Sequence, residues 1–298
     1  MTTSLTNNES TFQKIVRLLR WHKPAGRLIL MLPALWATVA AAKTQHQLPP
    51  IDLLGVVILG SLATSAAGCV INDLWDRDID PQVDRTKNRP LADRSLSIQV
   101  GIAVLLVSGL CAFLLSTYLS PLSFGLCFAA VPVIAIYPAC KRFFPVPQLV
   151  LSIAWGFAVL IPWSAVTGGL DRYAWELWTA VVAWTMGFDT IYAMSDREDD
   201  LKVGVKSSAL FFGRYVTFAI AIFFAIALGC LIWLGWEIQL GYAYYFACLI
   251  TGVVWIWQCN RLSQPEILSE LYQKAFGQNV WIGLIILAGM LPSALGLG

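Results

Sequence analysis

The sequence predicts an all-α integral membrane protein with nine transmembrane helices and a cytoplasmic N-terminus. Of its 298 residues, 58% are apolar and only 13% are charged. Long apolar segments recur along the chain, and lysines and arginines gather in alternate connecting segments. Because soluble domains are about 25% charged, this composition excludes a soluble enzyme, a nucleic-acid-binding protein and a disordered chain.

The apolar segments give the positions of the predicted helices. A helix needs about 20 mostly apolar residues to cross the bilayer. Such segments lie at 28–42, 51–71, 97–119, 121–139, 147–168, 173–192, 211–235, 241–259 and 279–297. The connecting segments are short, so we expect a single membrane domain over 1–298 that begins with a cytoplasmic segment at 1–26.

The distribution of positive charge predicts the orientation of the chain. With the N-terminus inside, all of the 20 lysines and arginines except Lys43 and Arg172 fall in inside segments. Cytoplasmic loops carry such an excess of positive charge. We therefore expect a multi-pass protein of the cytoplasmic (inner) membrane, embedded in the lipid bilayer, with its N-terminus in the cytoplasm.

Two acidic clusters follow the second and the sixth apolar segments, both on the predicted cytoplasmic side. In the first, Asn72, Asp76 and Asp80 repeat every fourth residue, which places them on one face of a helix. In the second, the same spacing relates Tyr192, Asp196 and Asp200. At about 100° per residue, Asp78 and Glu198 would point to the opposite faces.

The acidic clusters indicate a bound cation. Acids at a helix C-terminus oppose the helix dipole, and carboxylates four residues apart repel each other. Charged loops that simply end two helices are the alternative explanation. Carboxylate oxygens favour Mg²⁺ or Ca²⁺ over zinc, and Mg²⁺ is usually held by one or two carboxylates together with phosphates. The pattern is thus typical of a diphosphate clamp.

Basic residues beside the clusters are candidates for binding phosphate oxygens that a metal does not reach. A general excess of positive charge on the inside is the alternative reason for their presence. A very short loop places two of them at the mouth of any cavity. The candidates are Arg77, Lys87, Lys141 and Arg142.

Three motifs in order resemble the UbiA-type membrane prenyltransferases, and the resemblance covers essentially the whole chain. They are Asn-Asp-x-x-Asp-x-x-x-Asp at 72–80, Tyr-x-x-x-Lys at 137–141 and Asp-x-x-x-Asp at 196–200. The resemblance implies a helical bundle around a central cavity. It also implies transfer of a prenyl chain from an allylic diphosphate to an acceptor, with Mg²⁺ as cofactor.

Within that family, the chain is most similar to members that prenylate 4-hydroxybenzoate in the quinone pathways. The stretches at 23–28, 33–36, 72–80, 85–91, 137–142, 147–148 and 187–193 carry this similarity, which is greatest to the plastoquinone-pathway forms that use a solanesyl chain. The resemblance implies polyprenyl transfer to the ring carbon ortho to the hydroxyl, with release of diphosphate. The sequence departs at Phe143 and Phe144, where some ubiquinone-pathway members are more polar.

The resemblance also assigns roles to individual residues. One Mg²⁺ would be bound by Asn72, Asp76 and Asp80, and the other by Asp196 and Asp200. The substrate-binding residues would be Asp73, Lys87, Tyr137, Lys141, Arg142 and Tyr192. In this set, Asp73 supports the first metal site, Arg142 binds the aromatic carboxylate, and the two tyrosines orient groups in the pocket. Catalysis would depend on Asp76, Arg77 and Asp196, of which Asp196 polarises the phenol or takes the ring proton.

Two alternatives remain open from the sequence. Homogentisate, a naphthoate, a porphyrin-type alcohol or haem could replace 4-hydroxybenzoate as the acceptor, because the motif spacing defines the diphosphate half of the site better than the acceptor half. Acids repeated within a membrane protein can also mark the pathway of a cation transporter. Against a transporter, the acids lie at the cytoplasmic ends of the spans rather than at the midplane.

Overall fold

Helices make up nearly all of the regular structure. A computed structural model of the protein describes residues 9–264 and 269–297, and it contains no strand within those two ranges. The α-helices there are α1 (Thr11–Leu18), α2 (Ala25–Thr44), α3 (Ile51–Trp75), α4 (Ile98–Ser116), α5 (Pro121–Cys140), α6 (Pro147–Thr167), α7 (Arg172–Met194), α8 (Arg197–Val203), α9 (Ser208–Phe212), α10 (Val216–Glu237), α11 (Tyr242–Leu262) and α12 (Ser269–Ala294).

The long helices coincide with the apolar segments of the sequence. Eight stretches in the described residues are long and apolar enough to cross a membrane, and they contain α2–α6 and α10–α12. The other long helix, α7, is less apolar because Arg172, Glu176 and Asp189 lie within it. The prediction of an all-α multi-pass membrane protein is confirmed. Nine crossings and a cytoplasmic N-terminus stay predictions.

The structure differs from the predicted segments in three places. The basic N-terminal segment contains helix α1, which Ser10 begins by accepting a hydrogen bond from the Gln13 amide. The segment predicted at 211–235 becomes two helices, because Gly213 takes a φ of 54° between α9 and α10. Helix α12 begins at Ser269, well before the predicted 279. The sequence prediction began late because the first turns of this helix are polar and carry no apolar signal.

The core is built around α7, which packs against α2, α6, α10 and α12. Its Trp184 stacks on Trp36 of α2 with ring centroids 4.9 Å apart. The Trp184 indole also donates a hydrogen bond of 2.8 Å to Asn279 of α12, which accepts a second one of 3.3 Å from Trp255. Because the indole N–H groups of Trp184 and Trp255 both find this acceptor, the polar link inside the bundle fixes the helices around α7.

The outer surface is apolar where a soluble protein would be charged. Helix α4 packs chiefly on α3 and leaves most of its own surface uncovered. Leu106, Val107 and Leu110 on α4 are each more than half exposed. Exposed apolar surface of this extent is typical of helices in contact with lipid, as expected for a protein embedded in the bilayer.

The topology brings the functional segments together at one end of the bundle. Successive long helices run in opposite directions, so α3, α5 and α7 all end on the side where α6 begins. The segment between α3 and α4 folds back over this end, where its Leu91 and Leu96 pack with Leu18 of α1 and Val70 of α3. Both acidic clusters therefore lie on the same side of the bundle.

A glycine of α7 allows close packing in the core. A Cβ added to Gly187 would lie 2.3 Å from Cε1 of Phe224, a ring that stacks on Trp255 and is only 2% exposed. We expect Gly187→Ala to lower the free energy of unfolding by about 1–3 kcal/mol, the usual effect of overpacking. The midpoint of thermal unfolding in detergent measures this loss. Gly229→Ala on α10 is the control, since a Cβ there meets no atom within 4 Å, and an equal loss in both variants would contradict the packing.

Candidate active site

A cavity of about 140 Å³ opens between the cytoplasm-facing ends predicted for α3, α5 and α7 and the start of α6. Its wall combines carboxylates, cations and tyrosines with a few apolar side chains. It includes Asn72, Tyr137, Lys141, Gln148, Leu151, Asp189, Tyr192, Asp196, Asp200 and Lys206. The structure thus brings the second acidic cluster, the motif at the end of α5 and Asn72 of the first cluster to one cavity.

The first cluster does not continue α3 as a regular helix. The helix ends at Trp75, and Asp76 and Asp80 lie in the tight turns that follow, where the Asp80 amide donates to the Asp76 carbonyl at 2.8 Å. These turns still bury Asp76 and Asp80 and leave Asp78 at the surface, as the spacing predicts. Asp76 and Asp80 are 2% and 4% exposed, whereas the Asp78 side chain is 82% exposed and pairs with Arg94 at the surface.

The second cluster spans two helices, which corrects part of the sequence argument. Helix α7 ends at Met194, and Asp196 is the residue that precedes the short helix α8. Asp200 lies in the first turn of α8, beside the exposed Glu198. Acids at a helix N-terminus are favoured by its dipole. The expected opposition between acids and the helix dipole therefore holds for Asp73 and Asp76 at the end of α3 but is wrong for the second cluster.

The end of α5 contacts the first acidic cluster through Lys141 and Tyr137. The lysine follows the last residue of α5 and forms an ion pair with the Asp76 carboxylate. One turn earlier, the Tyr137 hydroxyl donates a hydrogen bond of 3.2 Å to the side-chain oxygen of Asn72. The Tyr-x-x-x-Lys motif thus contacts the first acidic cluster through both of its named residues, because residues four apart share one helix face.

Asp73 forms ion pairs with two arginines from distant parts of the chain. Its buried carboxylate accepts from Arg20, which follows α1, at 2.6 Å and from Arg89 at 3.1 Å. Arg89 also donates to Asp80 at 2.8 Å and so bridges two acids of the cluster. Hydrogen bonds between charged groups are about twice as strong as neutral ones. Asp73 therefore fixes the cations around the first cluster, consistent with its predicted supporting role.

Arg85 links the two halves of the site. It binds Asp196 through both carboxylate oxygens, with its Nε 2.8 Å from Oδ1. The same guanidinium donates to the Tyr192 hydroxyl and lies 4.3 Å from the centre of the Tyr192 ring. Because Arg85 belongs to the segment that follows the first cluster, this pair joins that segment to the second cluster.

Three predicted cations lie away from the cavity wall. Lys87 pairs with the exposed Asp84 at 2.8 Å, and Arg77 lies 3.9 Å from Asp78. Arg142 donates to the carbonyl of Trp75 at 2.6 Å and approaches Asp76 only to 3.9 Å. The structure does not bring Lys87 and Arg77 to the carboxylates that line the site, and their predicted roles stay predictions.

The sequence analysis missed other residues of the site, chiefly Arg20, Arg85, Arg89, Gln148 and Asp189. Arg85 and Arg89 are four residues apart with Lys87 between them, a spacing that would place the two arginines on one face of a helix. The segment forms turns rather than a helix, so this spacing alone did not identify Arg85 and Arg89 as the inward pair. Asp189 and Arg20 had no such signal, since nothing near them in the sequence shows what they face.

The carboxylates fit a bound cation. Oδ1 of Asp76 is buried without a hydrogen-bond partner in the part of the chain that the structure describes. Burial raises the pKa of Asp80, and it raises the pKa of Asp200 to about 6. A nearby cation offsets this cost of charging a buried acid. No three acidic, histidine or cysteine side chains converge on one point within the described ranges, but Mg²⁺ needs only one or two carboxylates when phosphates supply other ligands.

Comparison with known proteins identifies the family. A family model described as the UbiA prenyltransferase family matches residues 30–291. The chain belongs to this family. A 4-hydroxybenzoate solanesyltransferase from Synechocystis sp. is 64% identical, over 93% of this chain and 94% of its own. A 4-hydroxybenzoate octaprenyltransferase from Vibrio campbellii is 38% identical, over 92% of this chain and 95% of its own.

Solved structures of UbiA homologues share the fold. One from Aeropyrum pernix K1 has a TM-score of 0.77 at 24% identity, covering 89% of this chain and 96% of that one. One from Archaeoglobus fulgidus bound to GPP and Mg²⁺ has a TM-score of 0.70 at 19% identity, covering 95% and 99%. Membership of a prenyltransferase family makes the chain an enzyme and removes the support for a cation transporter.

Each acidic cluster contains acids that face the site and one acid that is exposed at the surface, and this difference gives a first mutational test. We expect Asp76→Asn, Asp80→Asn, Asp196→Asn and Asp200→Asn each to lower prenyl transfer by orders of magnitude, because about 1.4 kcal/mol of lost transition-state binding is tenfold in rate. Asp78→Asn and Glu198→Gln should stay within a few-fold of wild type. Turnover is measured in membranes at matched expression. Equal losses at all six positions would contradict the inward and outward division.

A second test compares two cations of the same segment. We expect Arg85→Ala to lower turnover strongly, because it leaves the Asp196 carboxylate, which is only 14% exposed, without its cation. Lys87→Ala should have a small effect, because its side chain is half exposed and its pair with Asp84 is at the surface. The same membrane assay checks both. A larger loss with Lys87→Ala than with Arg85→Ala would support the sequence-based choice of Lys87 over the geometry.

Proposed function

We propose that the protein transfers a polyprenyl chain from an allylic polyprenyl diphosphate to 4-hydroxybenzoate, at the ring carbon ortho to the hydroxyl, and releases diphosphate in quinone biosynthesis. The observation that carries the proposal is the pairing of two buried acidic groups with Lys141 and Arg85 around one membrane-end cavity. The relative from Synechocystis is named for solanesyl transfer to the same acceptor, which supports a solanesyl chain and plastoquinone synthesis.

We assign the metal to the two acidic clusters. Asn72, Asp76 and Asp80 would hold one Mg²⁺, and Asp196 and Asp200 the other, a choice supported by the unpartnered oxygen of Asp76. The Archaeoglobus homologue named as bound to GPP and Mg²⁺ supports it too. When bound, the metal supplies positive charge that stabilises the departing diphosphate.

The cations of the site have two tasks in this proposal. Without substrate, Lys141 neutralises Asp76 and Arg85 neutralises Asp196. With substrate, the same side chains lie beside the diphosphate and donate hydrogen bonds to its oxygens. Preorganised donors of this kind stabilise charge that develops in the transition state without further reorganisation. Tyr192, held by Arg85, stays at the wall and orients the reacting groups.

The acceptor would occupy the inner part of the cavity. Its volume of about 140 Å³ is well below the roughly 300–1,000 Å³ of sites for drug-sized ligands, which suits one aromatic ring. Arg142 remains our predicted partner for the acceptor carboxylate, since it follows Lys141 of the cavity wall and lies 3.9 Å from Asp76. The polyprenyl chain then extends between the helices into lipid.

The proposed location is the cytoplasmic membrane, with the cavity open to the cytoplasm. Lys141, Lys206 and the segment that carries Arg85 surround the cavity mouth. These belong to the inside segments of the positive-charge pattern. A diphosphate made in the cytoplasm would therefore reach the site without crossing the bilayer.

A panel of acceptors tests the proposed reaction. Membranes that contain the protein are given labelled solanesyl diphosphate with 4-hydroxybenzoate, homogentisate or a hydroxynaphthoate, and the labelled lipid product is measured. We expect 4-hydroxybenzoate to be prenylated best, with no product from membranes that carry Asp196→Asn. Efficient prenylation of homogentisate without reaction of 4-hydroxybenzoate would contradict the acceptor while leaving the reaction class intact.

Metal removal tests the cofactor. We expect EDTA to abolish turnover and added Mg²⁺ to restore it, because the buried carboxylates and the diphosphate repel each other without a cation between them. Zn²⁺ should restore less, since the site offers oxygen ligands alone. Full turnover in the presence of EDTA would overturn the metal assignment.

A further inference from the structure

Asp189 is a site carboxylate that the proposed reaction has not yet used. It lies in the cytoplasm-proximal half of α7 and lines the cavity together with Tyr137 and Tyr192. Among the residues the structure describes, no lysine or arginine forms an ion pair with it. Asp76 is held by Lys141 and Asp196 by Arg85. Asp200 also lacks such an ion pair among the described residues, but it lies in the short helix α8, beyond the end of α7.

The depth of Asp189 separates it from the diphosphate region. It precedes the end of α7 at Met194 by more than one turn, about 8 Å at 1.5 Å per residue. Tyr137 likewise lies one turn deeper than Lys141 on α5, and Leu151 one turn deeper than Pro147 on α6. The cavity therefore has a charged mouth, with Lys141, Asp196 and Asp200, and an inner wall made of Tyr137, Leu151 and Asp189.

The charged mouth suits the diphosphate, and the inner wall suits the acceptor ring. In the proposed function, Lys141 and a metal held by the acids at the mouth would bind the diphosphate, so the allylic carbon and the acceptor ring would lie further in, beside the inner wall. A ring carbon that has been alkylated must lose its proton, and a base has to lie within reach of it. Asp196 is a poor base there, because it lies at the mouth, where Arg85 holds it before substrate binds and where we assign it to the metal.

Resting on the proposed function, we propose that Asp189 accepts the ring proton of the acceptor. The C–O bond of the allylic diphosphate breaks and its electron pair leaves with the diphosphate. The ring carbon ortho to the hydroxyl then bonds to the allylic carbon. Finally its C–H bond breaks, the electron pair returns to the ring, the proton passes to the Asp189 carboxylate, and water receives it when the product leaves.

A hydrogen isotope effect tests this role. Turnover is compared for 4-hydroxybenzoate and for the acceptor deuterated at both carbons ortho to the hydroxyl. We expect a ratio near one in wild type, where ionisation limits the rate. Asp189→Asn should lower turnover by about 10²-fold or more, the usual contribution of a general base, and should raise the ratio clearly above one, because proton loss becomes limiting.

Asp196→Asn and Glu176→Gln are the comparison variants. Asp196→Asn should lower turnover with the ratio still near one, because it impairs diphosphate departure. Glu176→Gln, the same type of change near the other end of α7, should leave turnover close to wild type. Asp189→Glu keeps the carboxylate and should recover part of the turnover with a smaller ratio than Asp189→Asn. If Asp189→Asn does not insert into the membrane, the isotope ratio measured for Asp189→Glu decides. A ratio above one supports the proposal, and a ratio near one overturns it.

Two results would overturn the role of Asp189. Turnover of Asp189→Asn close to wild type would show that the carboxylate is not needed. A large loss with the ratio still near one, as in Asp196→Asn, would assign Asp189 to stabilising the allylic cation instead. Wild-type membranes that fail to prenylate 4-hydroxybenzoate at all would contradict the proposed function and this inference with it, whereas the first two outcomes contradict the inference alone.

Discussion

Three aspartates buried at the end of an apolar helix impose the main constraint on this structure. Asp73, Asp76 and Asp80 are each less than 5% exposed. The effective penalty for burying an ion is several kcal/mol, so each carboxylate requires a cation or hydrogen-bond donors. Arg20 comes from the turn after α1, Arg89 from the segment between α3 and α4, and Lys141 from the end of α5.

That requirement explains the shape of this end of the bundle. Helix α1 lies against α3 with Leu18 in a small apolar cluster, and Arg20, two residues later, reaches Asp73. The segment between α3 and α4 folds over the bundle and carries Arg85 and Arg89 inward. The same ion pairs that stabilise the fold thus preassemble the cations proposed to bind diphosphate, so binding would exchange partners rather than build the site.

The sequence predicted the helices and the acids better than the cations. Apolar length alone located the long helices, whereas the break at Gly213 and the early start of α12 depend on packing and on polar turns. The spacing of Asp76 and Asp80 foretold their common burial even though α3 ends at Trp75. Lys87 was preferred to Arg85 because charge alone does not show which side chain a non-helical segment turns inward.

The central claim is that the two acidic groups hold a cation and a diphosphate together. Thermal unfolding of the purified protein in detergent, with Mg²⁺, a solanesyl thiodiphosphate or both, tests this without relying on turnover. Ligand at 100 times its dissociation constant stabilises by about 2.7 kcal/mol. In wild type and Asp78→Asn, the account predicts that Mg²⁺ and the thiodiphosphate together raise the unfolding midpoint by more than the sum of their separate effects. In Asp76→Asn and Asp196→Asn, it predicts that this extra increase is lost. An undiminished extra increase in Asp76→Asn and Asp196→Asn would contradict it.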